Sequence, residues 1–182
     1  MSDQTVFGMD GAEAAASAAE TEAPAGANAP AAAPRDDLTR LLGQIVSLMG
    51  QSPAHRHIFL SDLEWLVLPP LSKRQVRIWR RRTERGPAPV VYASWAMVTP
   101  EVEQRLLQGH KRLRPEEWDG GTIPWLIDIV APYGGVDAAL AELVDQTFGG
   151  QPVKTLVPTP GGGFTVREVV PRSAGSKDAA KE

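Results

Sequence analysis

The chain has 182 residues, of which 42% are hydrophobic and 23% charged, with a net charge of −3 and no cysteine. The lack of cysteine excludes a disulfide framework, a thiolate zinc site and a cysteine nucleophile. No apolar run approaches the roughly 18 residues of a membrane-spanning helix.

Residues 10–34 contain no Leu, Ile, Val, Met or aromatic residue, and positions 11–33 hold thirteen alanines among Glu, Ser, Pro and Gly. Past Pro171 nothing apolar exceeds alanine. Neither end can bury enough surface to offset its ordering entropy. The expected organisation is a disordered extension over 1–35, one domain over 36–170 and a disordered tail over 171–182. No Lys or Arg precedes Arg35, so neither a secretory signal nor an arginine-rich transit peptide is expected, and the default location is the cytoplasm.

Leu38, Leu41, Leu42, Ile45, Leu48 and Met49 recur at helical spacing behind Asp36 and Asp37, which are candidate caps. Gly50 and Pro53 end this helix. After the loop Q-S-P-A-H-R-H, the run I-F-L-S-D-L-E-W-L-V-L predicts a second, short helix, capped by Ser61 and closed by Pro69-Pro70. Val76, Ile78 and Arg80 then alternate with Arg77, Trp79 and Arg81. With the turn T-E-R-G-P-A-P and the β-rich V-V-Y-A-S-W-A-M-V they predict an antiparallel hairpin. Thr99-Pro100-Glu101 opens a helix through Leu107. W-L-I-D-I-V over 125–130 reads as a strand, A-P-Y-G-G as a turn, and Val136–Phe148 as a helix. V-K-T-L-V and F-T-V-R-E-V-V form a second hairpin. The order α-α-β-β-α-β-α-β-β makes this an α/β (α+β) chain with a mixed sheet flanked by helices.

Charge is unevenly spread. Residues 1–37 carry seven acids and one arginine, whereas 73–85 carry seven bases and one acid. The basic block is a solvated face or a surface for an anionic partner.

Asp128 stands inside an apolar strand, where a carboxylate is costly unless paired. Strand alternation places it on one face with Leu126 and Val130, opposite Ile127 and Ile129. A solvent-facing strand end and a functional carboxylate are both compatible with that position. His55 lies in a loop, where histidine is commonly just solvated, although its ordinary pKa suits general-base work. His55 and His57, two residues apart, do not make a metal site on their own, and no metal is expected. Ser52, His55 and Asp128 have the composition of a hydrolase triad, but no G-x-S-x-G elbow accompanies them.

The strings S-P-A-H-R, L-P-P-L, P-V-V-Y-A-S-W-A, E-E-W-D-G-G and W-L-I-D-I-V-A-P-Y-G resemble, in order from about residue 40 to 170, the RTX toxin-activating lysine acyltransferases of the hemolysin-activating type. The resemblance implies a GNAT-like single domain that takes a fatty acyl group from acyl carrier protein and attaches it to internal lysines of an RTX-type protoxin. By resemblance, His55 is the catalytic histidine, Asp128 the essential aspartate and Ser52 a catalytic-site serine, whereas His57 and His110 match nothing functional. In GNAT folds a central strand, turn and helix hold the donor's phosphopantetheine arm, which assigns Tyr133, Gly134 and Gly135 to donor binding. A coenzyme A loop of the form Q/R-x-x-G-x-G/A is absent, which suits a thioester co-substrate delivered by its carrier and no bound cofactor. Arg77, Arg80 and Arg81 are candidates to steer the acidic carrier. Family members tend to dimerise, so a homodimer is part of the same expectation.

In this reading His55 is a general base, or itself carries the acyl group, and Asp128 orients it. Two rivals remain. A non-catalytic acyl-carrier or protein-binding module would share the fold. A nucleic-acid binder would use the basic block, but the chain is acidic overall and shows no nucleic-acid module.

Overall fold

The computed structural model describes residues 34–159 and 161–171. The two ends assigned above to disorder fall outside the described residues, apart from a few positions at their borders.

The leucine-rich stretch forms α1 (Pro34–Gln51), with Ile45, Leu48 and Met49 buried. It begins at Pro34, so Asp36 and Asp37 lie within its first turn and are not caps ahead of it. The next segment is not the single short helix expected from sequence. A 3-10 turn over Leu60–Asp62 leads into α2 (Leu63–Leu66) and then α3 (Leu68–Ser72). Asp62 takes the N-cap position of α2, leaving Ser61 inside the turn. Pro69 and Pro70 open α3 instead of closing the helix before it, because a missing amide hydrogen costs nothing in a helix's first turn.

β1 (Val76–Thr83) and β2 (Gly86–Val98) pair through a two-residue turn, Glu84-Arg85. α4 (Pro100–Leu107) follows, with Thr99 Oγ1 accepting from the Val102 N–H at 3.4 Å. β3 (Ile123–Val130) enters the sheet beside β2, and α5 (Val136–Thr147) is capped by Gly135 at φ +87°, a conformation that favours glycine. β4 (Val153–Pro158) and β5 (Phe164–Val169) complete the expected second hairpin.

The five strands lie in chain order, with β3 and β4 parallel and every other neighbouring pair antiparallel. This is the mixed α/β sheet that the sequence pattern predicts. α1, α2 and α3 pack on Tyr92 and Val130, while α5 packs on Ala93 and Leu126 from the opposite face. α4 and Trp118 close a third cluster over Ala96, Val98 and Trp125.

β3 departs from strict alternation. Ser94 pairs with Asp128, yet Trp95 pairs with Leu126, so Ile127 is an extra residue in β3. Such a bulge shifts the alternation by one. Leu126 joins Ile129 on the α5 face, and Asp128 joins Tyr92, Ser94 and Val130 on the face covered by α1. The expectation that Asp128 and Leu126 share a face is therefore incorrect, and the bulge at Ile127 is the reason. β3 and β4 are matched at Trp125–Lys154 and Leu126–Thr155 and part beyond that point. Asp128 thus lies just past the opening between two parallel strands.

The turn into β3 depends on Gly121, whose N–H donates to the Met97 carbonyl at 2.8 Å. A Cβ there would overlap the Val98 carbonyl, a backbone group that cannot swing aside. Gly121→Ala is expected to cost about 1–3 kcal/mol, read as a lower urea midpoint with an unchanged slope.

Candidate active site

The last turn of α1 runs into a tight turn that holds the S-P-A-H-R segment. The His55 and Arg56 N–H groups both donate to the Ser52 carbonyl, at 3.0 and 2.9 Å, and Ile58 N–H donates to the His55 carbonyl at 3.0 Å. These bonds aim the imidazole back at the sheet. His55 Nε2 lies 3.0 Å from Asp128 Oδ1, and Ser52 Oγ lies 2.8 Å from His55 Nδ1. Ser52 is buried, and the His55 and Asp128 side chains are 15% and 14% exposed. The three residues that sequence singled out for catalysis are therefore joined in one hydrogen-bonded series, although 73 positions separate His55 from Asp128.

A carboxylate can only accept, so in the neutral imidazole the proton sits on Nε2 and Nδ1 is the acceptor. The Ser52 hydroxyl then donates to Nδ1. Both ring nitrogens are thus occupied within the series.

Asp128 Oδ2 is buried without a hydrogen-bond partner, as are the Tyr92 hydroxyl and Ser94 Oγ. All three lie on one face of the sheet, with Ser94 directly across from Asp128. Burial pushes the Tyr92 phenol far up; the Ser94 hydroxyl offsets part of this without reaching hydrogen-bond geometry, and the Asp128 charge adds to it. Tyr92 consequently keeps its proton, on the sheet face that also carries Asp128. Lys111 is half-buried, so desolvation pushes its pKa down while the Asp128 charge pulls it up. Its ammonium sits 4.3 Å from the centre of the Phe164 ring. It lines a small cavity of about 10 Å³ with Trp125, Ile127 and Leu156, at the opening between β3 and β4.

Among the donor-binding candidates, Tyr133 comes next to the series, its hydroxyl donating to Gln51 Oε1 immediately before Ser52. The Gly134 N–H is already given to the Ala131 carbonyl at 3.1 Å, and Gly135 serves as the α5 cap. The basic strand divides in two. Arg77 pairs with Glu142 of α5 and donates to Gln146 at 2.7 Å, and Trp79 Nε1 also donates to Glu142, at 2.9 Å. Arg80 donates to Gln44 of α1 at 2.7 Å. Arg81, Arg82 and Arg85 are exposed, with no hydrogen bond or ion pair to other described residues. His57 accepts from Arg56 Nε at 3.2 Å, away from the series. Among the described residues, no three His, Asp or Glu side chains cluster as a metal site would require.

Tyr92 and Ser94 are the site residues that sequence reasoning left without a role. The signal was present: Ser94 is a polar residue in an apolar strand, as Asp128 is, and Tyr92 falls two positions away on the same face. Tyr92→Phe removes a hydroxyl that has no hydrogen-bond partner among the described residues, so folding stability should hold. If that hydroxyl braces Asp128 during reaction, kcat should fall about 2–10-fold with KM unchanged. In an Asp128→Asn background the substitution should add little. Stability loss tracking activity loss in thermal unfolding would mark Tyr92 as a packing residue only.

The model of the RTX toxin acyltransferase family matches residues 35–170. The chain is 35% identical over 94 residues to the RTX-II toxin-activating lysine-acyltransferase ApxIIC of Actinobacillus pleuropneumoniae, covering 52% of this chain and 56% of that protein. To the protein-lysine myristoyltransferase HlyC of Escherichia coli it is 34% identical over 108 residues, 59% of this chain and 61% of that one. An uncharacterized Synechocystis protein, sll0720, is 29% identical over 121 residues, 66% of this chain and 81% of its own length. The chain thus spans little more than half the length of the curated toxin-activating relatives it matches. The family match, however, runs from the start of α1 to the end of β5 and contains the whole sheet together with Ser52, His55 and Asp128, so this chain belongs to the RTX toxin acyltransferase family.

Proposed function

We propose that the protein is a protein-lysine N-acyltransferase that takes a fatty acyl group from acyl carrier protein and places it on an internal lysine of an RTX-type protein. The observation that carries this reading is the Ser52–His55–Asp128 series, set at the opening between β3 and β4 in a chain of this family. The names of its relatives, lysine-acyltransferases and a protein-lysine myristoyltransferase, support the same class.

The chemistry suits the residues. A thioester is an activated acyl donor, so the amine is the difficulty: a lysine of pKa near 10.4 costs about 4.6 kcal/mol to deprotonate at pH 7. As the neutral amine attacks the thioester carbonyl, its N–H proton passes to the Ser52 hydroxyl, whose own proton moves to His55 Nδ1. The C–N bond forms, the C–S bond breaks, and the imidazolium returns a proton to the departing thiolate. Asp128 holds the tautomer and stabilises the imidazolium. The Tyr133 hydroxyl, anchored beside Ser52, lines the approach for the donor arm. A second reading, in which Ser52 is transiently acylated, draws on the same Ser52–His55 bond, and an acyl increment on a Ser52 peptide would distinguish it.

The class is tested by the intact mass of a co-expressed RTX-type target, where a fatty-acyl increment on lysine is expected. His55→Ala should lower single-turnover transfer at least about 10²-fold while carrier binding stays near normal. Asp128→Asn should also lower it, since the amide favours the wrong tautomer. The double variant should be little slower than His55→Ala, whereas independent groups would multiply their losses. A folded His55→Ala protein with wild-type transfer would end this mechanism.

The carrier is acidic, and Arg81, Arg82 and Arg85 are the charges of the basic strand left exposed. Reversing these three to Glu should weaken carrier binding about tenfold or more at low salt, with the difference from wild type shrinking as ionic strength rises. Arg77→Glu should instead cost stability, because it sets a carboxylate against Glu142. Salt-independent carrier binding, unaltered by the triple reversal, would leave the basic strand with the role of discouraging sheet-to-sheet pairing.

A further inference from the structure

His55 forms one wall of a cavity of about 190 Å³ whose other lining side chains include Val46, Met49, Phe59, Leu60 and Leu63. Phe59 and Leu60 are 75% and 81% exposed, and Val46 is 37% exposed. Exposed apolar surface gathered in this way at the edge of the core marks a binding site more often than an accident of folding. The platform is also built rigidly. Asp62 accepts from the Phe59 N–H at 3.1 Å and from the Trp65 indole at 3.1 Å, and the Asp62 N–H donates to the Phe59 carbonyl at 2.9 Å. Two large apolar side chains are thus held in solvent by a carboxylate that fixes the backbone beneath them.

We propose that this cavity is the site for the hydrocarbon chain of the acyl donor, a reading that rests on the acyltransferase function given above. A thioester carbonyl brought to the Ser52–His55 pair has two substituents, the sulfur with its pantetheine arm and the alkyl chain. The opening between β3 and β4 lies on the sheet side of Asp128, and the apolar cavity lies on the α1 side of His55. The sulfur arm would then lie toward the β3–β4 opening and the alkyl chain in the cavity that His55 lines. The size of the cavity favours a narrow occupant. A helix of a docking protein is about 10–12 Å across with its side chains, and pockets for compact ligands usually run to about 300–1,000 Å³. At about 190 Å³ the cavity falls below that range and suits one extended chain. Arg56 also lines the cavity and donates to His57, and apart from it and His55 the lining side chains are apolar.

The test uses the full-length chain and acyl carrier protein loaded with hexanoyl, decanoyl or tetradecanoyl groups through an amide in place of the thioester, so that binding is measured without turnover. The carrier with an unloaded arm is the reference. Affinity should rise by up to about 4-fold per methylene, the equivalent of about 0.8 kcal/mol, until the cavity is full, and then level off. Val46→Trp, on the exposed edge of α1, should bring the plateau to shorter chains. Phe59→Ser with Leu60→Ser should flatten the rise. None of these variants should alter binding of the unloaded carrier. Affinity independent of chain length, or equal weakening of loaded and unloaded carrier by the Phe59 and Leu60 substitutions, would overturn the proposal, the latter outcome assigning the patch to protein docking. If the wild-type chain binds neither loaded nor unloaded carrier, the carrier-dependent function itself fails and the chain site falls with it.

Discussion

A carboxylate inside an apolar strand has to be answered by something, and in this protein much of the structure around Asp128 does so. An uncompensated charge in such a place costs several kcal/mol, and here it is met by the imidazole of His55 at 3.0 Å. For that contact to exist, α1 must end against β3 and the turn after it must point inward. The doubled hydrogen bond to the Ser52 carbonyl and the packing of Ile45, Leu48 and Met49 on Tyr92 and Val130 achieve both. One electrostatic requirement thus ties the first helix of the domain to the centre of its sheet.

The bulge at Ile127 sets the geometry of that contact. An unbroken β3 carrying Leu126 on the α5 face would put Asp128 there too, away from His55 and among Leu140 and Leu143. The extra residue instead sends Asp128 to the other face while Leu126 and Ile129 still pack on α5. The bulge also falls where β3 and β4 separate, so the carboxylate is delivered beside an opening. Bulges commonly re-aim side chains next to functional sites in this way. The cost is three buried polar atoms, on Asp128, Tyr92 and Ser94, that lack hydrogen-bond partners among the described residues. A cluster of that kind is poor for stability but well suited to holding a charge that changes during a reaction.

The basic strand shows how one composition can serve two ends. Alternation along β1 turns Arg77 and Trp79 toward α5, where both converge on Glu142 and fasten the helix that follows the Ala131–Gly135 turn. Past the irregularity between Trp79 and Arg80, Arg80 reaches Gln44 of α1, and Arg81 and Arg82 run out to the hairpin tip and face solvent. The first group fastens α5 to the sheet, and the second is left exposed, where its charge acts over about a Debye length, roughly 8–10 Å near physiological ionic strength.

Much of this protein was legible in its residues. Helical spacing in 38–49, the β-rich runs on either side of T-E-R-G-P-A-P and the strand–glycine–helix pattern of 125–148 identify nearly every element, because periodicity is a property of near neighbours. The identities of Ser52, His55 and Asp128 were legible too, through the strings in which they stand. What sequence could not supply were facts that depend on residues far apart in the chain. The bulge at Ile127 arises because β3 must satisfy α5 on one face and His55 on the other, and no run of eight residues records that double demand. The division of α2 from α3 falls at Val67, just ahead of the two prolines that start a fresh turn. The choice of ring nitrogen for Ser52, the buried hydroxyls around Asp128 and the capture of Arg77 by Glu142 are likewise products of packing. Local propensity decided which elements form, and the long-range pairing of charges and hydroxyls decided which of their side chains meet.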